Sequence, residues 1–221
     1  MLTAKRTLED ACGFFIGAET EYIVKGLQDT LSPKRLRHSL FVAEEAAYLF
    51  DKLGINEDRQ TLCLAAFVHD CTKELTIDEQ LLLCKKYDIM LSDDDLRSPG
   101  VIHARTGAAV AKNEFGIPEE MCGAIYTHTS GKWDMNFPQK ILYIADFTEK
   151  SRRTQVCRTM RERLHTKLDL ERSVDQRRKI TDSILLDMFT LNLRDLISKN
   201  KFIHPDTVAA RNFLIEESGN K

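Results

Sequence analysis

Apolar residues along this chain recur mostly at helical spacing, and short polar turns cut the pattern into segments. Ser32 and Pro33 predict the start of a helix that runs through Leu36, Leu40, Ala43, Ala47 and Phe50 and stops at Gly54. Asn56 opens a second, carrying Leu62, Ala65, Ala66 and His69. Thr76 to Glu79 reads as a capping box for a third, with Leu81, Leu82 and Leu83, and Ser92 to Asp95 as a turn or short helical start. Ser98-Pro99 opens a fourth that ends at Gly116, Pro118 a fifth that ends near Gly131, and Pro138 a sixth through Ile141, Leu142, Ala145 and Phe147. Residues 154–200 carry one long amphipathic pattern of Ile180, Ile184, Leu185, Met188, Leu191 and Leu196, and Pro205 opens a last helix. No strand-length alternation and no glycine-rich phosphate loop interrupts this reading. The expected fold class is all-α, helices packed around one core.

Composition narrows the class without naming a function. Apolar residues make up 43% and charged residues 30% of 221 positions, as in an ordinary soluble globule. Lys and Arg number 32 against 34 Asp and Glu, so no global basic field exists to hold nucleic acid by its phosphates. None of the six cysteines forms a C-x-x-C pair, which fits free thiols in a reducing compartment. The apolar run at 14–16 is too short for a secretory core, and no stretch approaches the roughly 20 residues of a membrane span. A cytoplasmic protein with no membrane partner is expected.

The candidate chemistry lies on the apolar faces. Leu62, Ala65, Ala66 and His69 share one face; Met121, Ala124, Ile125 and His128 repeat the spacing, and so do Leu142, Ala145, Asp146 and Glu149. His103 shares a face with Gly107, Val110 and Ala111, whose small side chains leave room beside it. His38 lies with Phe41, Val42 and Leu49. A single histidine on such a face is ordinarily a core residue with one hydrogen bond. A buried aspartate is harder to accommodate, because an unpaired carboxylate is costly inside a core. Two aspartates with four histidines on neighbouring helices point to bound metal, and ligands of this hardness without thiolate suit iron, manganese, zinc or magnesium. His69 and Asp70 point about 100° apart on a helix, so they reach one site only from a helix end facing a cleft. A carboxylate there can bridge two ions.

The ordered set His38, His69-Asp70, His103, His128 and Asp146 resembles the HD-domain phosphohydrolases of the binuclear type. Local matches are residues 66–74 to the family's HD-x-x-K-E element, 124–131 to A-I-x-x-H-T-x-G, 140–146 to K-I-L-Y-L-A-D, and 203–212 to a closing I-H-P-x-T-x-x-A-R-N. Together they resemble the bacterial YqeK group, the symmetrical bis(5'-nucleosyl)-tetraphosphatases. The likeness covers roughly residues 21 to 217, read as one HD-type domain with its C-terminal helices; residues 1–20 read as an extension. What the resemblance implies is a helical bundle around a binuclear metal site that hydrolyses diadenosine tetraphosphate to two ADP. It implies two divalent transition-metal ions, iron first, with manganese or other divalent metals as alternatives. In the carry-over His38, His69, Asp70 and Asp146 hold one ion, His103 and His128 hold the other, and Asp70 bridges. The segment Glu149 to Arg152 lacks the family's proline after the glutamate.

Phosphoryl oxygens need cationic partners. Lys73 lies three residues past Asp70 and is the expected catalytic cation, with Arg152 and Lys132 lining the mouth; solvated surface positions are the plain alternative for each. Trp133 and Tyr126 could stack a base, though packing is their ordinary role, and His165 and His204 read as structural. The expected pocket lies between the helices bearing His38, His103 and His128, beside Gly107 and Ala111. A dinucleoside polyphosphate is the expected substrate, with room for a homodimer. The alternatives are an HD-type hydrolase for another nucleotide and a catalytically silent nucleotide-binding module.

Overall fold

The computed structural model describes residues 8–10, 12, 13 and 17–219. The apolar run at 14–16 and most of the expected extension lie outside the described residues. Eleven α-helices are numbered here: α1 (Ala18–Thr30), α2 (Pro33–Leu53), α3 (Arg59–Val68), α4 (Ile77–Lys86), α5 (Asp93–Arg97), α6 (Ile102–Phe115), α7 (Glu119–Thr127), α8 (Phe137–Thr148), α9 (Gln155–Leu170), α10 (Val174–Ser198) and α11 (Pro205–Glu217). One 3-10 turn, Pro99–Val101, leads into α6, and no strand occurs among the described residues.

The helix starts follow side-chain capping. Ser32 accepts from the amide of Arg35 at the start of α2, Thr76 and Ser92 form capping boxes for α4 and α5, and Asn136 forms one for α8. Gly54 and Gly116 end α2 and α6 at positive φ. Three expected boundaries differ, one of them the end of the fifth expected helix, which falls at Thr127 rather than near Gly131. Asp58, rather than Asn56, caps α3, because its carboxylate reaches the amide of Gln60. The pattern over 154–200 is two helices, since Thr154 and Ser173 each cap a new start and Glu171–Ser173 separate them.

The core places the site. α2 packs on α3 and α8, α7 on α6 and α8, and α3 on α7, so α2, α3, α6, α7 and α8 form a connected group. Leu49, Leu62, Phe67, Ile125 and Ile141 are fully buried among them. α10 closes over this group with Leu185, Met188 and Phe189 buried. All six cysteines are free, four of them buried. Among the described residues no helix is long and apolar enough to cross a membrane.

Candidate metal centre

α3 ends at Val68 and α7 at Thr127, and each is followed by a histidine that acts as its C-cap. In both, Nδ1 bonds a carbonyl three residues back: His69 to Ala66 at 2.7 Å and His128 to Ile125 at 2.7 Å. A ring that donates from Nδ1 presents an Nε2 lone pair at its other edge. His38, in the second turn of α2, is oriented likewise, its Nδ1 3.1 Å from Oε1 of the buried Glu149. Three of the four imidazoles thus carry the partner that fixes the tautomer of a metal-binding histidine.

The two oxygens of Asp70 face two different groups. Oδ2 lies 3.6 Å from His38 Nε2 and 3.5 Å from His69 Nε2. Oδ1 lies 3.2 Å from His103 Nε2 and 3.6 Å from His128 Nε2. Asp146 Oδ1 is on the first side, 3.0 Å from His38 Nε2 and 3.8 Å from His69 Nε2. The ligating atoms of His38, His69 and Asp70 lie within 4.8 Å of one another, and so do those of Asp70, His103 and His128. All six histidine and aspartate residues singled out for metal therefore meet.

A cation fits this arrangement. Nε2 of His38 and of His69 are buried without a hydrogen-bond partner. Nε2 of His103 and of His128 are only 3.1 Å apart, a distance at which two imidazole nitrogens need a proton or a cation on one of them. Burial pushes His69 down to about 3 and His103 down to about 4, so both rings are neutral at physiological pH. Burial also opposes charge on His38, but Asp146 and Glu149 outweigh it and raise that ring to about 8. Burial works against ionisation of Asp70, yet the surrounding histidines, His69 foremost, hold it well below the usual carboxylate range. Asp146 is likewise held low against its burial by Arg152 and His38.

Three cationic side chains border the centre. Arg35 Nη1 donates to Asp70 Oδ2 at 2.7 Å, and Arg152 Nη2 donates to Asp146 Oδ1 at 2.5 Å. Lys73 Nζ sits 3.2 Å from the ring nitrogens of His103, and burial lowers its pKa. These three line a cavity of about 260 Å³ with Thr129, Tyr143, Phe147 and Asn192. A neighbouring cavity of about 400 Å³, lined by Arg97, Phe202 and His204 among others, shares Thr129 and Asn192 with it.

Several expected placements change. Lys132 is exposed and lines a separate groove with Arg105, Tyr126 and Gln139, so it does not reach the cluster. Trp133 is exposed and packs edge-on against Phe213, while Tyr126 lies under Arg105. Neither lines the cavity beside the cluster. The room beside Gly107 is not a pocket: a Cβ there would stand 3.1 Å from the His69 carbonyl, so the glycine admits the His69-Asp70 turn. Residues 69–74 form tight turns rather than a continued helix, with the Cys71 amide bonded to Val68 and that of Lys73 to Asp70. His204 caps α11 and His165 bonds Glu45, both structural roles.

Sequence reasoning passed over Arg35 and Asn192. Arg35 lies three residues before His38 on the same helix, a spacing that marks one face and would have found it. Asn192, which lines the cavity, comes from α10, with no local pattern to connect it to the clustered residues.

The model of the HD domain family matches residues 35–151. The chain is 32% identical over 192 residues to a protein of Halalkalibacterium halodurans named symmetrical bis(5'-nucleosyl)-tetraphosphatase, covering 85% of this chain and 92% of that one. It is 28% identical to a protein of the same name from Bacillus subtilis, with 87% and 95% covered. Among solved structures it is similar to a predicted HD superfamily hydrolase involved in NAD metabolism from Clostridium acetobutylicum. The TM-score is 0.77 at 31% identity, over 89% of this chain and 97% of that one.

Proposed function

The chain belongs to the HD-domain family, and on that premise we propose that it is a metal-dependent hydrolase that cuts diadenosine tetraphosphate symmetrically into two ADP, at two metal ions bridged by Asp70. The observation that carries the two-ion reading is the division of the Asp70 carboxylate, Oδ2 toward His38 and His69, Oδ1 toward His103 and His128. In this reading His38, His69, Asp70 and Asp146 hold one ion, and Asp70, His103 and His128 the other. The nitrogen and oxygen donors suit iron, manganese, zinc or magnesium, and the resemblance to the binuclear HD phosphohydrolases puts iron first among them.

Ions bound there supply Lewis acidity at a phosphoryl oxygen and lower the pKa of a water. The chain's own groups do the rest. Glu149 and the carbonyls of Ala66 and Ile125 hold three imidazoles in their ligating tautomers. Lys73, Arg35 and Arg152 place three cationic groups around one small cavity, in a protein whose formal charge is -2. Arg35 and Arg152 pair with Asp70 and Asp146 in the same lining, which leaves Lys73 as the unpaired positive group to face a polyphosphate and offset negative charge that builds on its phosphoryl oxygens. The neighbouring cavity, joined at Thr129 and Asn192, offers room for a nucleoside.

Lys73 is the proposed catalytic cation, since it reaches the cavity from beside His103 without being one of the proposed ligands. Lys73→Ala is expected to lower kcat by roughly a hundredfold while bound metal stays unchanged. An unaltered kcat would make Lys73 a packing residue. Symmetrical cleavage follows if the ions grip an inner phosphate, so that water attacks in line with the central bridging oxygen. Early products separated by chromatography are expected to be ADP alone. ATP and AMP in equal amounts would overturn the symmetrical assignment and leave the metal centre in place.

A further inference from the structure

The end of α8 carries two groups on which the centre depends, and both belong to one loop. Thr148 is its last residue and Glu149 its C-cap. Glu149 accepts from His38 Nδ1 at 3.1 Å and from the hydroxyl of Ser151 at 2.6 Å. Arg152, at the far side of the loop, donates from Nε to the Asp146 carbonyl at 2.9 Å and from Nη2 to its carboxylate. The last carbonyls of a helix lack partners within it, and residues 149–152 contain no proline to fix the turn.

Those carbonyls are taken up by one side chain from the next helix. Arg161 of α9 donates from Nε to the Thr148 carbonyl, and from Nη2 to the Glu149 carbonyl and to that of Arg152 at 3.2 Å. A guanidinium has five N–H donors in a rigid plane, so it can hold three carbonyls at once, and its charge suits a helix C-terminus. One turn further along α9, His165 bonds Glu45, which also accepts from the Thr148 hydroxyl at 2.9 Å. α9 thus grips the end of α8 from two directions.

We propose that Arg161 is a positioning residue for the metal centre: by holding the carbonyls of Thr148, Glu149 and Arg152 it sets the loop that places Glu149 on His38 and Arg152 on Asp146. It touches no ligand itself. Its influence falls on the side of the centre formed by His38, His69 and Asp146, and leaves the His103–His128 side alone. This inference rests on the two-ion site proposed above.

The test is calorimetric titration of Mn(II) into chelator-treated protein, with thermal unfolding of the metal-free protein as a control. The wild type should show two sites. Arg161→Ala should weaken one of them by about ten- to a hundredfold, the range for partners that orient ligands, and leave the other unchanged. Arg161→Lys, which keeps the charge and the packed stem but cannot span three carbonyls, should weaken the same site by a smaller factor. Glu149→Gln should weaken that site too. Adding Arg161→Ala to it should cost clearly less than the product of the two single losses, because part of the arginine's effect runs through Glu149. Lower thermal stability in the arginine variants with unchanged Mn(II) affinities would overturn the proposal, as would losses that multiply in the double variant. A wild type that takes up no Mn(II) would instead remove the metal site on which the inference depends.

Discussion

Asp70→Asn is expected to abolish turnover, with kcat/KM falling on the order of a thousandfold or more and bound metal falling with it. The residue is 3% exposed, and each of its oxygens faces a different pair of imidazoles. An amide keeps the size of the carboxylate but presents a donor N–H to one of those pairs, where a ligand must present a lone pair. It also removes the negative charge that offsets two cations. Both ions should weaken together, which distinguishes a bridge from a ligand to one ion. Circular dichroism of the variant should match the wild type, since the helices are packed by Leu49, Leu62, Phe67 and Ile141 rather than by the cluster. Near-normal activity, or loss of a single ion, would contradict the bridging role.

Gly131→Ala is expected to cost about 3 kcal/mol of stability, a fall of roughly 10 °C in Tm for a chain of this size. Gly131 has a φ of 70°, a region that side chains with a Cβ adopt only with strain. A Cβ there would also stand 2.5 Å from Phe189 Cζ and 3.0 Å from the Ala210 Cβ. Phe189 is fully buried against Tyr143, so its ring has little freedom to move aside. The amide of Gly131 closes the turn that begins at Thr127 and contains His128 and Thr129, so a shift here reaches the centre as well. Differential scanning fluorimetry gives the shift; an unchanged Tm would mean that α10 yields readily at this point.

The helices and the six clustered residues were legible because both are written in short-range pattern. Caps such as Ser32 and Thr76 and the glycine at 54 mark boundaries within a few residues, and the i, i+3, i+4, i+7 spacing puts His69, His128 and Asp146 on apolar faces. Where the reading fell short, the deciding contact was distant or the local signal weak. Asn56 and Asp58 are both capable caps, and only the reach of the Asp58 carboxylate to Gln60 selects one. The break at 171–173 sits inside a run of charged residues with no glycine or proline to signal it. Gly107 reads as empty space in sequence, but its partner is the His69 carbonyl in the turn that follows α3. Lys132 follows Gly131 directly in sequence, yet it lines the groove with Arg105 and Gln139 and not the cavity beside the cluster, a choice no local pattern signals.

The most direct test of the two-ion centre is elemental analysis of protein purified without chelator, with turnover of diadenosine tetraphosphate measured on the same sample. The expected result is close to two transition-metal ions per chain, with activity lost on chelation and regained as two equivalents of Fe(II) or Mn(II) are restored. A reproducible content of one ion per chain at full activity would contradict the account.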